Sequence, residues 1–283
     1  MSAIHRLAKN TGILFVSQIM TFILGFLYMI YTARYLGPEV YGILSFAIAF
    51  TIIFGILADL GLSQLMVREL SRDKSLASKY LGNTIVMKII ASIITFLLII
   101  LIVNLIHETI NNTIVIYLIA LSVLINSFSQ IFYSVFQSYE KMEFLAIGGV
   151  LSSILLLSIT LIAIYYKFDV VFFAFIYLLV SIIVLVFNMT ICFWKFILPR
   201  MEIDLNFWKF VLLESIFFVL TGVFTQIYFN IDSVMLSLMI SNVAVGFYTA
   251  AYKLIFILLS IPSVLIISLF PVMSKHFQSA QNI

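Results

Sequence analysis

Charge is what this chain has least of. Of 283 residues only 27 are ionised at neutral pH, 15 basic and 12 acidic, or 10% where a soluble domain carries roughly 25%. Too little polar material remains to coat a water-soluble globule of this size, so lipid must solvate most of the surface. The single cysteine, Cys192, excludes a disulfide scaffold, and four prolines and eleven glycines exclude collagen-like or low-complexity disordered chains. The three histidines, His5, His107 and His276, are scattered at span or chain ends with no HExxH and no cysteine partner, which argues against a metal site. There is no Walker A loop, no GxSxG elbow and no intramembrane aspartate pair in a protease motif. Nothing points to an enzyme or to a cofactor, and no basic cluster suggests nucleic acid.

What is present is apolar: 64% hydrophobic residues, 28 Phe, 14 Tyr, and a mean hydropathy of +1.23. A helix crossing about 30 Å of hydrocarbon needs about 20 residues, so about eight spans fit. Weakly charged runs place them at Gly12 to Ala33, Gly42 to Ala58, Ile89 to Ile106, Thr113 to Ser138, Phe144 to Tyr166, Val170 to Phe193, Phe207 to Ile240 and Val245 to Met273. The runs are too long for barrel strands and lack a period of two. The expected fold is an all-α integral membrane protein. His5, Arg6 and Lys9 resemble the basic head of a signal peptide, but the run that follows is long and no small-residue cleavage site is evident, so it reads as a retained first helix.

With the N-terminus in the cytosol, Arg6, Lys9, Arg68, Arg72, Lys74, Lys79, Lys141, Lys195, Arg200, Lys209 and Lys275 fall on the cytosolic side, against Arg34 and Lys167 opposite. That asymmetry predicts both termini inside. Between the second and third spans, Leu62 to Tyr80 spaces Leu62, Leu65, Met66, Leu70, Leu76, Ala77 and Tyr80 at mainly helical intervals, which predicts an amphipathic helix on the cytosolic membrane face; the alternative is a solvated loop. Trp194 to Asn206 reads as a linker between two bundles.

Polar side chains within spans mark helices that line something. At 100° per residue, Glu214, Thr221, Thr225, Tyr228 and Asp232 form one stripe on the seventh span, and Ser122, Asn126, Gln130, Tyr133 and Gln137 another on the fourth. The third carries Thr84, Lys88, Ser92 and Thr95, and the first Thr11, Gln18, Gly25 and Thr32. Spans one, three, four and seven are thus expected to surround a hydrated pathway, with five and six peripheral. Ser and Thr equally suit plain helix-to-helix hydrogen bonding. Intramembrane charge needs a stronger reason, since each costs about 2.5 to 3.5 kcal/mol on insertion scales. Asp232 and Lys253, about ten residues either side of a turn near Ser241 to Ala244, could come level as an ion pair or serve gating or binding. Asp59 and Arg34, at span ends, read as interfacial anchors or substrate contacts, and Lys88 and Glu214 as cavity groups.

Several strings resemble the polysaccharide-transport flippases of the multidrug/oligosaccharidyl-lipid/polysaccharide exporter superfamily: Arg34-Tyr-Leu-Gly-Pro-Glu-Val-Tyr-Gly42, Ala58-Asp-Leu-Gly-Leu-Ser-Gln64 leading to Arg68 and Glu69, and Asn230-Ile-Asp-Ser-Val-Met-Leu236 followed by Val245-Gly-Phe-Tyr-Thr-Ala-Ala-Tyr-Lys253. The resemblance covers essentially the whole chain. It implies a flippase moving a polyprenyl-linked oligosaccharide across the cytoplasmic membrane for surface polysaccharide or glycan assembly, by alternating access of two six-helix lobes. Its partners would be that substrate, membrane lipid and a coupling ion. On this reading residues 1–193 form the first lobe, 194–206 a cytosolic linker and 207–283 the first two helices of a second. The candidate pathway residues are Gln18, Lys88, Asn126, Gln130, Glu214 and Asp232, with Lys88 for the diphosphate, the Asn and Gln groups for the sugar, and Pro262 as a hinge. A cation-coupled drug exporter of the same superfamily and a truncated, non-transporting membrane protein are the alternatives.

Gly42-Ile-Leu-Ser-Phe-Ala47 and Gly246-Phe-Tyr-Thr-Ala-Ala251 share a pattern, each opening a helix after an outward-facing turn, six spans apart. An even separation keeps the copies in one orientation, as in parallel repeats about the membrane normal. The chain is shorter than the twelve or more spans usual in the family, which predicts either a fragment or a partner chain to close the cavity.

Overall fold

The computed structural model describes residues 3–106, 109–200, 203–252, 255 and 266, with side chains from Lys9 onward. Among the described residues every regular element is helical: α1 Ala3–Asp59, α2 Leu62–Arg72, a 3-10 turn Lys74–Leu76, α3 Ala77–Ile106, α4 Ile110–Ser138, α5 Met142–Tyr165, α6 Val170–Lys195 and α7 Leu205–Met239. Residues 242–252 begin a further helix. Of the predicted eighth span, Val245 to Met273, the first two turns are described, while Lys253 and Pro262 lie outside the described residues.

At 57 residues α1 would be about 85 Å long if straight, far more than one membrane thickness. It breaks at Gly37, whose backbone (φ 74, ψ 169) falls where side chains are rarely tolerated. Pro38 then opens the second arm at a position where its missing N–H costs no helical hydrogen bond. The two arms, 3–36 and 38–59, return to one end of the bundle. Asn10 Nδ2 donates to the Glu140 carbonyl between α4 and α5 (3.0 Å), and Ser134 Oγ near the end of α4 donates to the Ser63 carbonyl (2.8 Å). That end is called here the α2 end, and the opposite one, marked by Gly37 and the turn after α7, the kink end.

Two buried apolar layers stack along the bundle. The kink-end layer joins Phe46, Ile99, Ile116, Phe173 and Val180; the α2-end layer joins Leu65, Leu70, Leu81, Phe132 and Phe136. Lipid-facing positions are correspondingly apolar and exposed, as at Ile93, Ile94, Leu97 and Leu101 of α3.

Two expectations change. The amphipathic segment ends at Arg72 rather than running to Tyr80, and α3 begins at Ala77, well before its apolar run. The apolar face of α2 does not lie on the membrane: Leu62, Leu65, Met66 and Leu70 are fully buried in the α2-end layer among α3, α4 and α7 residues. Amphipathicity reports that one face is apolar, not whether lipid or protein covers it.

The connection between α6 and α7 is strapped to the start of α3. Ser78 Oγ donates to the Leu198 carbonyl (2.7 Å), the Arg200 N–H to the Ser78 carbonyl (3.1 Å), and Lys79 Nζ pairs with Asp204 Oδ2 (2.8 Å). Asn83 Oδ1 accepts from Trp208 Nε1 (2.7 Å) and from the Asp204 N–H (3.2 Å). Asp204 also caps α7 by accepting from the Phe207 N–H (3.0 Å).

Candidate functional site

A cavity of about 790 Å³ opens between the second arm of α1, α4 and α7. Its polar wall comes from Asp59 and Gln64 at the α2 end, Ser122, Asn126, Gln130 and Gln137 of α4, and Thr221, Thr225 and Gln226 of α7. Asn126 and Gln130 project exposed side chains into it. Helical spacing puts the α4 groups on one face, and that face is turned away from the apolar layers. Toward the kink end lies a second cavity of about 400 Å³, lined by both arms of α1, by α7 and by residues 248–252. It is aromatic and uncharged, with Tyr28, Tyr41, Tyr177, Tyr248 and Tyr252 among its walls.

Lys88 does not reach either cavity. It is completely buried, and its ammonium has three partners: Asp59 Oδ1 at 2.6 Å, Ser63 Oγ at 3.0 Å and the Ser127 carbonyl at 2.5 Å. Ser63 Oγ in turn donates to Asp59. Three donors thus meet three acceptors, the condition for holding a lysine away from water. Asp59, by contrast, borders the larger cavity, so the charge presented to it is the carboxylate. The rest of the α3 stripe, Thr84, Ser92 and Thr95, is also buried behind the wall. The second arm of α1 takes the place expected for α3, while α6 contributes Tyr177 and α5 only Ser153.

The other candidates separate. Glu214 lies at the α2 end, where its Oε2 accepts from Arg68 Nη2 (2.7 Å) while Arg68 Nε bonds Glu69 Oε1 (2.7 Å), tying α2 to α7. Asp232 is exposed and accepts from Tyr248 Oη (2.7 Å), beside a surface depression that Tyr228 and Tyr252 also line. Gln18 is half-buried on the first arm and lines neither cavity. The Lys253 partner expected for Asp232 is outside the described residues.

The hydroxyls of α7 are largely self-satisfied: Thr221 Oγ1 donates to the Phe217 carbonyl (2.8 Å) and Thr225 Oγ1 to the Thr221 carbonyl (2.7 Å). Such back-bonding makes threonine inexpensive in a membrane helix. Asn126, Gln130 and Gln137 are therefore the groups best able to offer hydrogen bonds to a guest. Sequence spacing missed the Lys88–Asp59 pair because 29 residues and two helix ends separate its members. The signal available was the cost of a lone lysine inside a span.

Among curated proteins no sequence matches. Two solved structures share the fold. One, named protein A, superposes with a TM-score of 0.78 at 15% identity, and the MATE multidrug transporter DinF-BH with 0.75 at 14%. Each comparison covers 98% of this chain and 66% of the other, so the chain spans just under two thirds of their length. The family model described as polysaccharide biosynthesis protein matches residues 7–277. With that match over nearly its whole length, and with six helices among the described residues long and apolar enough to cross a membrane, the chain belongs to the polysaccharide biosynthesis protein family.

Proposed function

We propose that this protein is a flippase that carries a polyprenyl-linked oligosaccharide across the cytoplasmic membrane by alternating access. The observation that carries the reading is the larger cavity, whose Asn and Gln side chains line a polar path from mid-bundle to the α2 end of an otherwise apolar protein. A sugar headgroup leaving water must be met by hydrogen-bond partners within the bilayer. Asn126, Gln130 and Gln137 supply them, while the apolar outer faces leave the lipid tail in the bilayer. In this reading residues 1–193 make the first lobe, the strapped segment 194–206 the linker, and α7 opens the second lobe.

The α2 end faces the cytosol. Its connections carry Arg68, Arg72, Lys74, Lys79, Lys141 and Lys195, whereas the kink end has Arg34 and Lys167, the asymmetry expected of a cytosolic face. Lys88, locked to Asp59, serves as scaffold; the diphosphate is met at the α2 end or by other parts of the protein. Gln18, Glu214 and Asp232 stay as secondary pathway groups, with Asp232 near the kink end.

The test is export in cells lacking the gene. Parent protein restores surface glycan, and Asn126→Leu with Gln130→Leu, which removes two of the cavity's amides, does not, although it reaches the membrane in equal amount. Full export by that variant would overturn the assignment of the cavity. A tyrosine-lined cavity with the Asp59 carboxylate beside it would also suit an organic cation, so a cation-coupled drug exporter is the second reading, and loss of surface glycan in the amide variant decides against it.

A further inference from the structure

We infer that Gly42, Ser45, Gly246 and Thr249 form a self-matching latch that closes the kink end and must part for anything to leave the cavity there. Gly42, one turn into the second arm of α1, packs against the backbone of Asn242: a Cβ on Gly42 would collide with the Asn242 carbonyl. Gly246 does the same in return, since a Cβ there would collide with the Pro38 carbonyl. Between these two contacts Thr249 Oγ1 and Ser45 Oγ lie 3.2 Å apart. Gly42 and Gly246, Pro38 and Asn242, and Ser45 and Thr249 are each 204 positions apart.

Contacts that exchange their members in this way define an isologous interface, here within one chain. The two-fold axis passes between Ser45 and Thr249. Both helices run from the kink end toward the α2 end, so the axis follows the length of the bundle. Each helix contributes one glycine and one carbonyl, so neither can carry a side chain at its glycine without moving the other. The aromatic cavity lies directly below, with Tyr41, Ser45 and Ala49 from one helix and Tyr248, Thr249 and Tyr252 from the other.

Among the described residues this contact of backbone and two small hydroxyls holds no ion pair. Parting it therefore breaks no charge pair, as suits an equilibrium between two states of a transporter. A methyl group at either glycine is accommodated only in the open state, and so shifts the population toward it. The function of the latch rests on the exporter reading above; its closure does not.

The experiment uses the full-length protein in membranes, with Cys192→Ala and a reporter cysteine at Ala49→Cys, labelled by an impermeant thiol reagent from the kink-end side. Labelling is expected to be slow in this background and to rise about tenfold with Gly42→Ala or Gly246→Ala, a shift of about 1.4 kcal/mol in the opening equilibrium. Oxidising Ser45→Cys/Thr249→Cys, which adds no bulk at the glycines, is expected to form a disulfide that abolishes labelling of the reporter, with recovery on reduction. Failure of that pair to cross-link, or unchanged labelling in properly inserted glycine variants, overturns the latch. If the glycine variants do not insert, the cysteine pair alone decides. Loss of labelling on oxidation in a protein that moves no glycan leaves the latch standing and removes the flippase reading.

Discussion

Lys88 Nζ lies 2.6 Å from Asp59 Oδ1, the lysine wholly buried and the aspartate bordering the polar cavity. The pair fastens α3 to the end of α1 and decides which sign of charge the cavity meets.

Breaking this pair from the lysine side leaves the partly buried Asp59 carboxylate without its cation. Lys88→Ala is expected to destabilise the fold by about 3 kcal/mol, the lower end of the range for one-sided loss of a buried pair, because water in the cavity still reaches Asp59. Replacing both, as Lys88→Met with Asp59→Leu, should recover most of that loss. Thermal unfolding in detergent measures both, and a double variant no more stable than the single would show that the pairing is not what matters.

Arg68 and Glu214 join α2 to α7 across a partly exposed contact at 2.7 Å. Solvent screening limits such a pair, so Arg68→Ala is expected to cost only about 0.5 to 1 kcal/mol. Its expected signature is local: faster amide exchange over 62–72 than over α4.

The linker strap should loosen in acid. The hydrogen bond from Lys79, followed by that from the Phe207 N–H, holds the Asp204 carboxyl below its ordinary value. A depressed carboxylate stabilises the folded arrangement above its unfolded pKa, and that contribution is lost as pH falls through the folded value. Protease cleavage within 194–206 is expected to be slow at neutral pH, faster below about pH 4, and fast throughout in Asp204→Asn. A pH-independent cleavage rate in both proteins would show that Asp204 does not hold the strap.

Among the described residues the Asn126 and Gln130 side chains make no hydrogen bond, and both face the cavity. Asn126→Leu and Gln130→Leu should therefore leave the melting temperature within about 1 °C while lowering transport, since surface-type substitutions fall within about 0.5 kcal/mol. Equal loss of stability and transport would mean instead that the two residues are structural.

Much of this architecture is legible before any coordinates. Seven apolar runs predict the described spans to within a few residues, except at the starts of α1 and α3, because in a membrane each run must satisfy its own backbone. The gap between the first two runs contains the kink found at Gly37, and the paired Gly42 and Gly246 strings meet in the structure. What is not legible is rotation and register between helices. A line through Thr84, Lys88, Ser92 and Thr95 tells that α3 has a polar side, yet the same line serves a buried ion pair as well as a water-filled path. The face of α2 is apolar whichever solvent it meets, and only tertiary packing shows that protein covers it.

The central claim is tested most directly in sealed vesicles containing the full-length protein and a polyprenyl-linked oligosaccharide, by following how much of the oligosaccharide an impermeant glycosidase can reach. If the protein is a flippase, the accessible fraction rises well above that of protein-free vesicles, and Asn126→Leu with Gln130→Leu abolishes the rise. An accessible fraction equal to that of protein-free vesicles, with the protein folded and inserted, would contradict the account.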